Sequence, residues 1–141
     1  MDIKIELGRS ISLMYHNYRK FVAERLNEVE NFNSGWVPYL KTIDRNNGIV
    51  SEELSKRLMV SKPAITKTIR QLEEEGLCFT KINPKDGRSK MIFLTDKARN
   101  VLEEINPVLA SIEKEVLQGF DKEEVNNLDI LLKRILINIS N

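Results

Sequence analysis

The sequence predicts a mainly α-helical protein with a small β-wing: a winged helix-turn-helix flanked by long N- and C-terminal dimerisation helices. Three observations predict it. Residues 51–76 carry two short helical patterns with a tight join. Residues 77–95 follow as two short strand patterns around a basic tip, Pro84-Lys85-Asp86-Gly87-Arg88. Residues 3–30 and 96–141 carry apolar stripes at helical spacing. The chain therefore divides into 1–32, an N-terminal helix, 33–95, the winged unit, and 96–141, the C-terminal helices.

Ile3, Leu7, Ile11, Met14, Tyr18 and Phe21 form one stripe on a helix over 3–30, with Lys4, Arg9, Lys20, Glu24 and Glu28 on its other faces. A helix cannot bury its own stripe, so this one needs a partner surface. Asn31–Gly35 is rich in turn formers. A helix over 35–45 follows, with Trp36, Val37, Leu40 and Ile43 as its apolar residues and Pro38 in its first turn. Gly48 suits the left-handed conformation that ends it. Ser51 and Ser61 are the expected N-caps of the paired helices, and Gly76 ends the second. Leu54 and Leu58 point inward from the first of the pair, and Ser55 is small enough to let its neighbour approach. Strands are expected over 77–83 and 91–95.

Thr95 or Asp96 begins a long helix with Ala98, Val101, Ile105, Val108, Ile112 and Val116 as its stripe and Pro107 as a bend. Gly119 stops it. Asp121 and Glu124 have capping-box spacing, with Phe120 and Val125 placed as a hydrophobic staple. The last helix carries Val125, Leu128, Leu132, Ile135 and Ile139, a seam for another helix.

Composition narrows the functional classes. With 141 residues, 41% apolar and a net charge of +1, the chain is long enough for one core and is not a basic coat for nucleic acid. The charge is unevenly placed. Residues 41–90 hold 11 Lys+Arg against 7 Asp+Glu, while residues 99–141 hold 5 against 8. The middle is the polyanion-facing part. One cysteine and one histidine exclude a disulfide framework and a Cys-based zinc site. No nucleophile–base pair, metal cluster or Gly-rich phosphate loop is present, so no catalytic residue, metal or cofactor is expected. No apolar run reaches about 18 residues, and the N-terminus lacks a signal-peptide core. A cytoplasmic protein without a membrane span is the expectation.

At about 100° per residue, Ile65, Ile69 and Leu72 fall in one narrow arc of the helix after Ser61. Lys62, Pro63, Thr66, Lys67 and Arg70 fall in a separate arc. Glu73, Glu74 and Glu75 follow, so the positive charge gathers in the N-terminal half. That half is the part of a recognition helix that enters a major groove, where Lys and Arg reach phosphates or guanine edges. Lys81, Lys85, Arg88 and Lys90 surround the wing tip. Arginine suits a narrow minor groove, and Asp86 is placed to orient Arg88 or a neighbouring cation. The competing readings are a solvated helix face and an ordinary Asp-Gly hairpin.

From Asp86 to Thr95, DGRSKMIFLT resembles the D-x-R-[SA]-x-x-x-x-L-T wing motif of the MarR family of bacterial and archaeal transcriptional regulators. Glu53-Leu54, Ser61-Lys62-Pro63-Ala64-Ile65-Thr66 and Leu72-Glu73-Glu74-Glu75-Gly76-Leu77 resemble its helix pair, and the flanking helices match its layout. The resemblance implies a homodimer, most often a repressor, reading a pseudo-palindromic operator in double-stranded DNA. It assigns Ser61, Lys62, Pro63, Thr66, Lys67 and Arg70 to the major groove and its phosphates, Arg88 to the minor groove, and Asp86 to holding the wing, with Lys85 and Lys90 beside it. Two positions depart from the pattern: Thr80 stands where arginine is frequent, and Cys78 where an aliphatic residue is usual.

Many relatives bind a small aromatic effector in a crevice whose segments here contain Tyr15, His16, Tyr18, Trp36 and Tyr39. The competing reading of these five is core packing. Some relatives sense oxidants through a cysteine of the first helix, which has none here; Cys78 reads as a small buried hydrophobe. A winged-helix protein–protein module that leaves DNA alone is the alternative function.

Overall fold

The computed structural model describes residues 6–27 and 32–140. Ile3, Lys4, Glu28 and Asn31, assigned above to the first helix and the break after it, lie outside the described residues. Helix α1 (Leu7–Leu26) buries Val22 and Leu26 near its C-terminal end, while Leu7, Ile11, Met14 and Tyr18 stay exposed in the single chain. The helix expected from residue 35 begins instead as a 3-10 turn, Ser34–Trp36, because the Asn33 side chain closes onto Gly35 N at 2.8 Å. Helix α2 (Val37–Arg45) continues from it with Pro38 in its first turn and Tyr39, Leu40 and Ile43 buried. Gly48, at φ +92°, ends this segment, and a Cβ there would come within 3.1 Å of the Phe93 ring.

Ile49–Val50 form strand β1, which the sequence reading missed. Its signal is only two residues long, and it exists by pairing: Ile49 opposes Ile92 and Val50 opposes Met91. Asn47 Oδ1 accepts from Leu94 N at 3.1 Å, and Gly48 N donates to Ile92 O at 2.8 Å, extending the ladder beyond the strand.

Helices α3 (Ser51–Leu58) and α4 (Lys62–Glu74) form the expected pair. Ser51 does not cap α3. It is the first helical residue, and the cap position falls on Val50, which the strand already holds and which has no side-chain oxygen to offer. Leu54 is fully buried and Leu58 half-buried. Met59 makes the join in the left-handed conformation, φ 56° and ψ 41°. Ser55 does more than leave room: its Oγ donates to Val60 O at 2.6 Å, and Val60 N donates to Ser55 O at 3.2 Å, bracing the turn.

Strands β2 (Cys78–Asn83) and β3 (Asp86–Leu94) complete an antiparallel sheet of order β1-β3-β2. β3 starts five residues earlier than the sequence suggested, and the turn narrows to Pro84-Lys85. The basic tip pairs as strand because Asn83 opposes Asp86 and its Oδ1 accepts from Lys85 N at 3.1 Å. The register slips between Ile82 and Asn83, a bulge that twists the wing.

Helix α5 (Asp96–Val116) is capped by Thr95, whose Oγ1 accepts from Ala98 N at 3.1 Å and donates to Gly76 O at 2.6 Å. Its stripe buries Ala98, Ile105 and Ile112, joined by Leu102, which the sequence reading left out. Val116 is exposed, and the helix runs on through Pro107. Helix α6 (Lys122–Ser140) opens on the expected capping box: Asp121 N donates to Glu124 Oε1 at 3.1 Å, and Glu124 N to Asp121 Oδ1 at 2.8 Å. None of its residues is buried in the single chain. The chain divides into two compact units, Met1–Val108 and Leu109–Asn141. The first is built on a core that includes Leu40, Ile43, Leu54, Ile65, Leu72, Ile92 and Leu94.

Candidate nucleic-acid interface

Helix α4 is fixed from one side and open on the other. Ile65, Ile69 and Leu72 are buried, as the arc analysis expects, each contributing about 1.5–3 kcal/mol relative to exposure. Ser61 Oγ caps the helix by accepting from Ala64 N at 3.3 Å. At the other end Gly76 takes φ +70°, and Lys97 Nζ donates to Glu75 O at 2.7 Å, placing a cation where the helix dipole is negative. Trp36 Nε1 donates to Gln71 Oε1 at 3.5 Å. The opposite arc, Lys62, Pro63, Lys67 and Arg70 with Thr66, faces outward. Thr66 Oγ1 donates to Lys62 O at 3.1 Å and keeps its lone pairs for an incoming donor.

The wing tip is held by its own short polar side chains. Asp86 Oδ1 accepts from Arg88 N at 3.0 Å, Ser89 Oγ donates to Asp86 O at 3.3 Å, and Asn83 Nδ2 donates to Ser89 Oγ at 3.0 Å. The sequence reading placed Asp86 on the charged end of Arg88 or of a neighbour. The carboxylate takes the Arg88 backbone amide instead, because a two-residue separation suits an Asx turn. The guanidinium has no carboxylate partner among the described residues.

These two elements enclose a cleft of about 540 Å³. Lys62, Thr66 and Arg70 line it from α4, and Asp86, Arg88 and Lys90 from the wing. Along the outer side of α4 a second groove of about 590 Å³ gathers Lys62, Pro63, Thr66, Lys67 and Arg70. Ser61 lines neither, being the helix cap, nor does Lys85, which sits on the hairpin turn. The cleft also holds Ser51, Glu52, Thr80 and Ser89, which the sequence reading did not assign to it. Strand alternation carried the signal for Thr80: it opposes the buried Ile92 and lies two residues from the buried Cys78. Lys81 opposes Met91 and lies 5.7 and 5.5 Å from the stacked rings of Phe79 and Phe93, so it is drawn to the other face of the sheet.

Among the described residues, Arg9, Lys56, Arg57, Arg99 and Lys133 pair with a carboxylate on their own helix. None of Lys62, Lys67, Arg70, Lys85, Arg88 and Lys90 has such a partner there. Glu52 and Glu73 are the cleft's other carboxylates besides Asp86; Glu52 is within 3.9 Å of Lys56.

The remaining candidates are dispersed. Tyr15 and Tyr18 are exposed on α1, with His16 edge-on to Tyr15 at 5.8 Å. Trp36 and Tyr39 are buried. Cys78 is buried with its Sγ 3.7 Å from Ile69 O. Burial, with a smaller contribution from Glu73, pushes its thiol up to about 12, so the reactive thiolate is absent near neutral pH. No metal-binding cluster occurs among the described residues, and none of their helices is long and apolar enough to cross a membrane.

A capped helix with an outward basic arc, beside a sheet whose tip carries Arg88, defines the chain as a winged helix-turn-helix protein. Residues 37–90 match the model of the MarR family, so the chain carries a MarR-type winged helix-turn-helix over that span. Solved structures agree along nearly its whole length. A MarR transcriptional regulator from Methanosarcina mazei Go1 is 28% identical, with a TM-score of 0.82 over 92% of this chain and 96% of that one. A cysteine-to-serine mutant of MarR from E. coli, complexed with operator DNA, is 26% identical, with a TM-score of 0.86 over 94% of each chain. The transcriptional regulator SlyA shares the fold at 23% identity and a TM-score of 0.85, over 96% of this chain and 95% of that one.

Proposed function

We propose that the chain is a homodimeric repressor that reads a pseudo-palindromic operator in double-stranded DNA. Each subunit lays residues 61–70 in a major groove and sets Arg88 in the flanking minor groove. The observation that carries this reading is the gathering of Lys62, Lys67, Arg70, Arg88 and Lys90 on one cleft and its adjoining groove, none with a carboxylate partner among the described residues. Cations gathered in this way fit a polyanion, whose bound counterions they displace. The likeness to a MarR complexed with operator DNA supports the same reading.

The apolar residues of α1 and α6 support the dimer. Leu7, Ile11, Met14 and Tyr18 on α1, and Leu128, Leu132 and Ile139 on α6, are exposed in the single chain. Burying them on a second copy yields roughly 25 cal/mol per Å². Two copies at fixed separation then require half-sites about one helical turn apart. A small aromatic effector would release the DNA by binding one spacing of the two subunits more tightly than the other.

Selection of bound fragments from random-sequence DNA tests this. The expected product is an inverted repeat whose half-site centres lie about 10 base pairs apart. Failure to enrich any sequence would favour the protein-module alternative.

A further inference from the structure

Ile82 is an apolar residue at the base of a polar wing tip, Asn83 to Lys90. It is 69% exposed, the most exposed of the large hydrophobic residues in the winged unit. Its position is set by strand pairing. Ile82 opposes Lys90, and Thr80 opposes Ile92. Directly opposed residues of an antiparallel pair share a face, and alternation places residues two apart on that same face. Ile82 therefore lies on the face that carries Thr80 and Lys90, both of which line the cleft toward α4. The bulge after Ile82 and the polar bonds among Asn83, Asp86 and Ser89 hold the tip above it. Ile82 does not itself line that cleft; it stands at a fixed strand position opposite Lys90, an aliphatic side chain open to an apolar surface on a partner.

We infer that Ile82 is a specificity-determining residue that packs on the sugar walls of the minor groove beneath the wing and disfavours G·C pairs there. This rests on the proposed DNA-binding function and deepens it. G·C pairs place the N2 amine of guanine in the minor groove, whereas A·T pairs offer acceptors alone. A branched aliphatic group pressed into the groove leaves that amine without its water partner. Narrow A·T-rich grooves also bring both sugar walls closer.

The test uses the full-length protein and a duplex it has itself selected, rebuilt with A·T, inosine·C or G·C pairs under the wing. Inosine removes the N2 amine and keeps the major-groove edge of guanine. Wild type is expected to bind the A·T and inosine duplexes about five-fold more tightly than the G·C duplex, the scale of one or two buried methylenes. Ile82→Asn should reduce that ratio to near one with melting temperature and salt dependence unchanged. Ile82→Lys should tighten binding to all three and steepen the salt dependence by about one ion. An undiminished ratio in Ile82→Asn, or an Ile82→Lys protein indistinguishable from wild type, would overturn the inference with DNA binding intact. Salt-independent or absent binding of wild type to all three duplexes would overturn the function itself.

Discussion

Leu132→Asp is expected to yield a 16.3 kDa monomer in place of the proposed dimer and to lose operator binding by about 100-fold or more. Leu132 sits in the α6 seam with Leu128, Ile135 and Ile139 and is 48% exposed in the single chain. A carboxylate there costs the isolated chain little, because water still reaches it. In a dimer the same carboxylate is buried against apolar side chains without a partner, which costs several kcal/mol per ion. The loss of DNA binding follows from geometry. Two linked reading heads bind the second half-site at high effective concentration, and a monomer forfeits that gain. Sedimentation reads the mass, and titration of a labelled operator reads the affinity. A Leu132→Asp protein that stays dimeric would remove α6 from the interface.

Arg88→Ala is expected to weaken operator binding about 10- to 100-fold, the range for a base-reading arginine, while mass and melting temperature stay at wild-type values. Asp86 holds the Arg88 backbone amide and not its guanidinium, so truncating the side chain leaves the wing tip intact. The loss should be larger on sites with a narrow A·T-rich minor groove, where the potential attracting the guanidinium is strongest. Equal affinity of the two proteins would take the wing tip out of recognition. Asp86→Asn separates the roles: its amide oxygen can still accept from Arg88 N, so most of the binding should survive.

Much of this molecule was legible in the sequence. The arc of Ile65, Ile69 and Leu72 is visible from residue type and helical period alone, and all three are buried. The caps at Ser61 and Asp121 follow from local chemistry and are present as hydrogen bonds. What escaped depends on partners distant in the chain. Strand β1 is two residues long and is held by Ile92 and Met91, some forty residues away, so no local pattern announces it. Its formation in turn moves Ser51 from the cap position into α3. The early start of β3 has the same origin, since a Gly-containing tip reads as loop until Asn83 is seen opposite Asp86. Of the two roles weighed for Asp86, orienting a cation came from charge alone, whereas the bond to the Arg88 backbone amide at the wing tip needs the backbone geometry of an Asx turn. The basic arc of α4 was readable. That its cations have no carboxylate partner among the described residues was not, because pairing depends on side-chain reach in three dimensions.

The most direct test of dimeric recognition of a polyanion is the salt dependence of binding to the selected operator. If about half of the twelve candidate cations in a dimer meet phosphates, log affinity should fall linearly with log salt at a slope of about −5. A slope near zero between 50 and 200 mM salt, roughly the range over which phosphate contacts are screened, would contradict it.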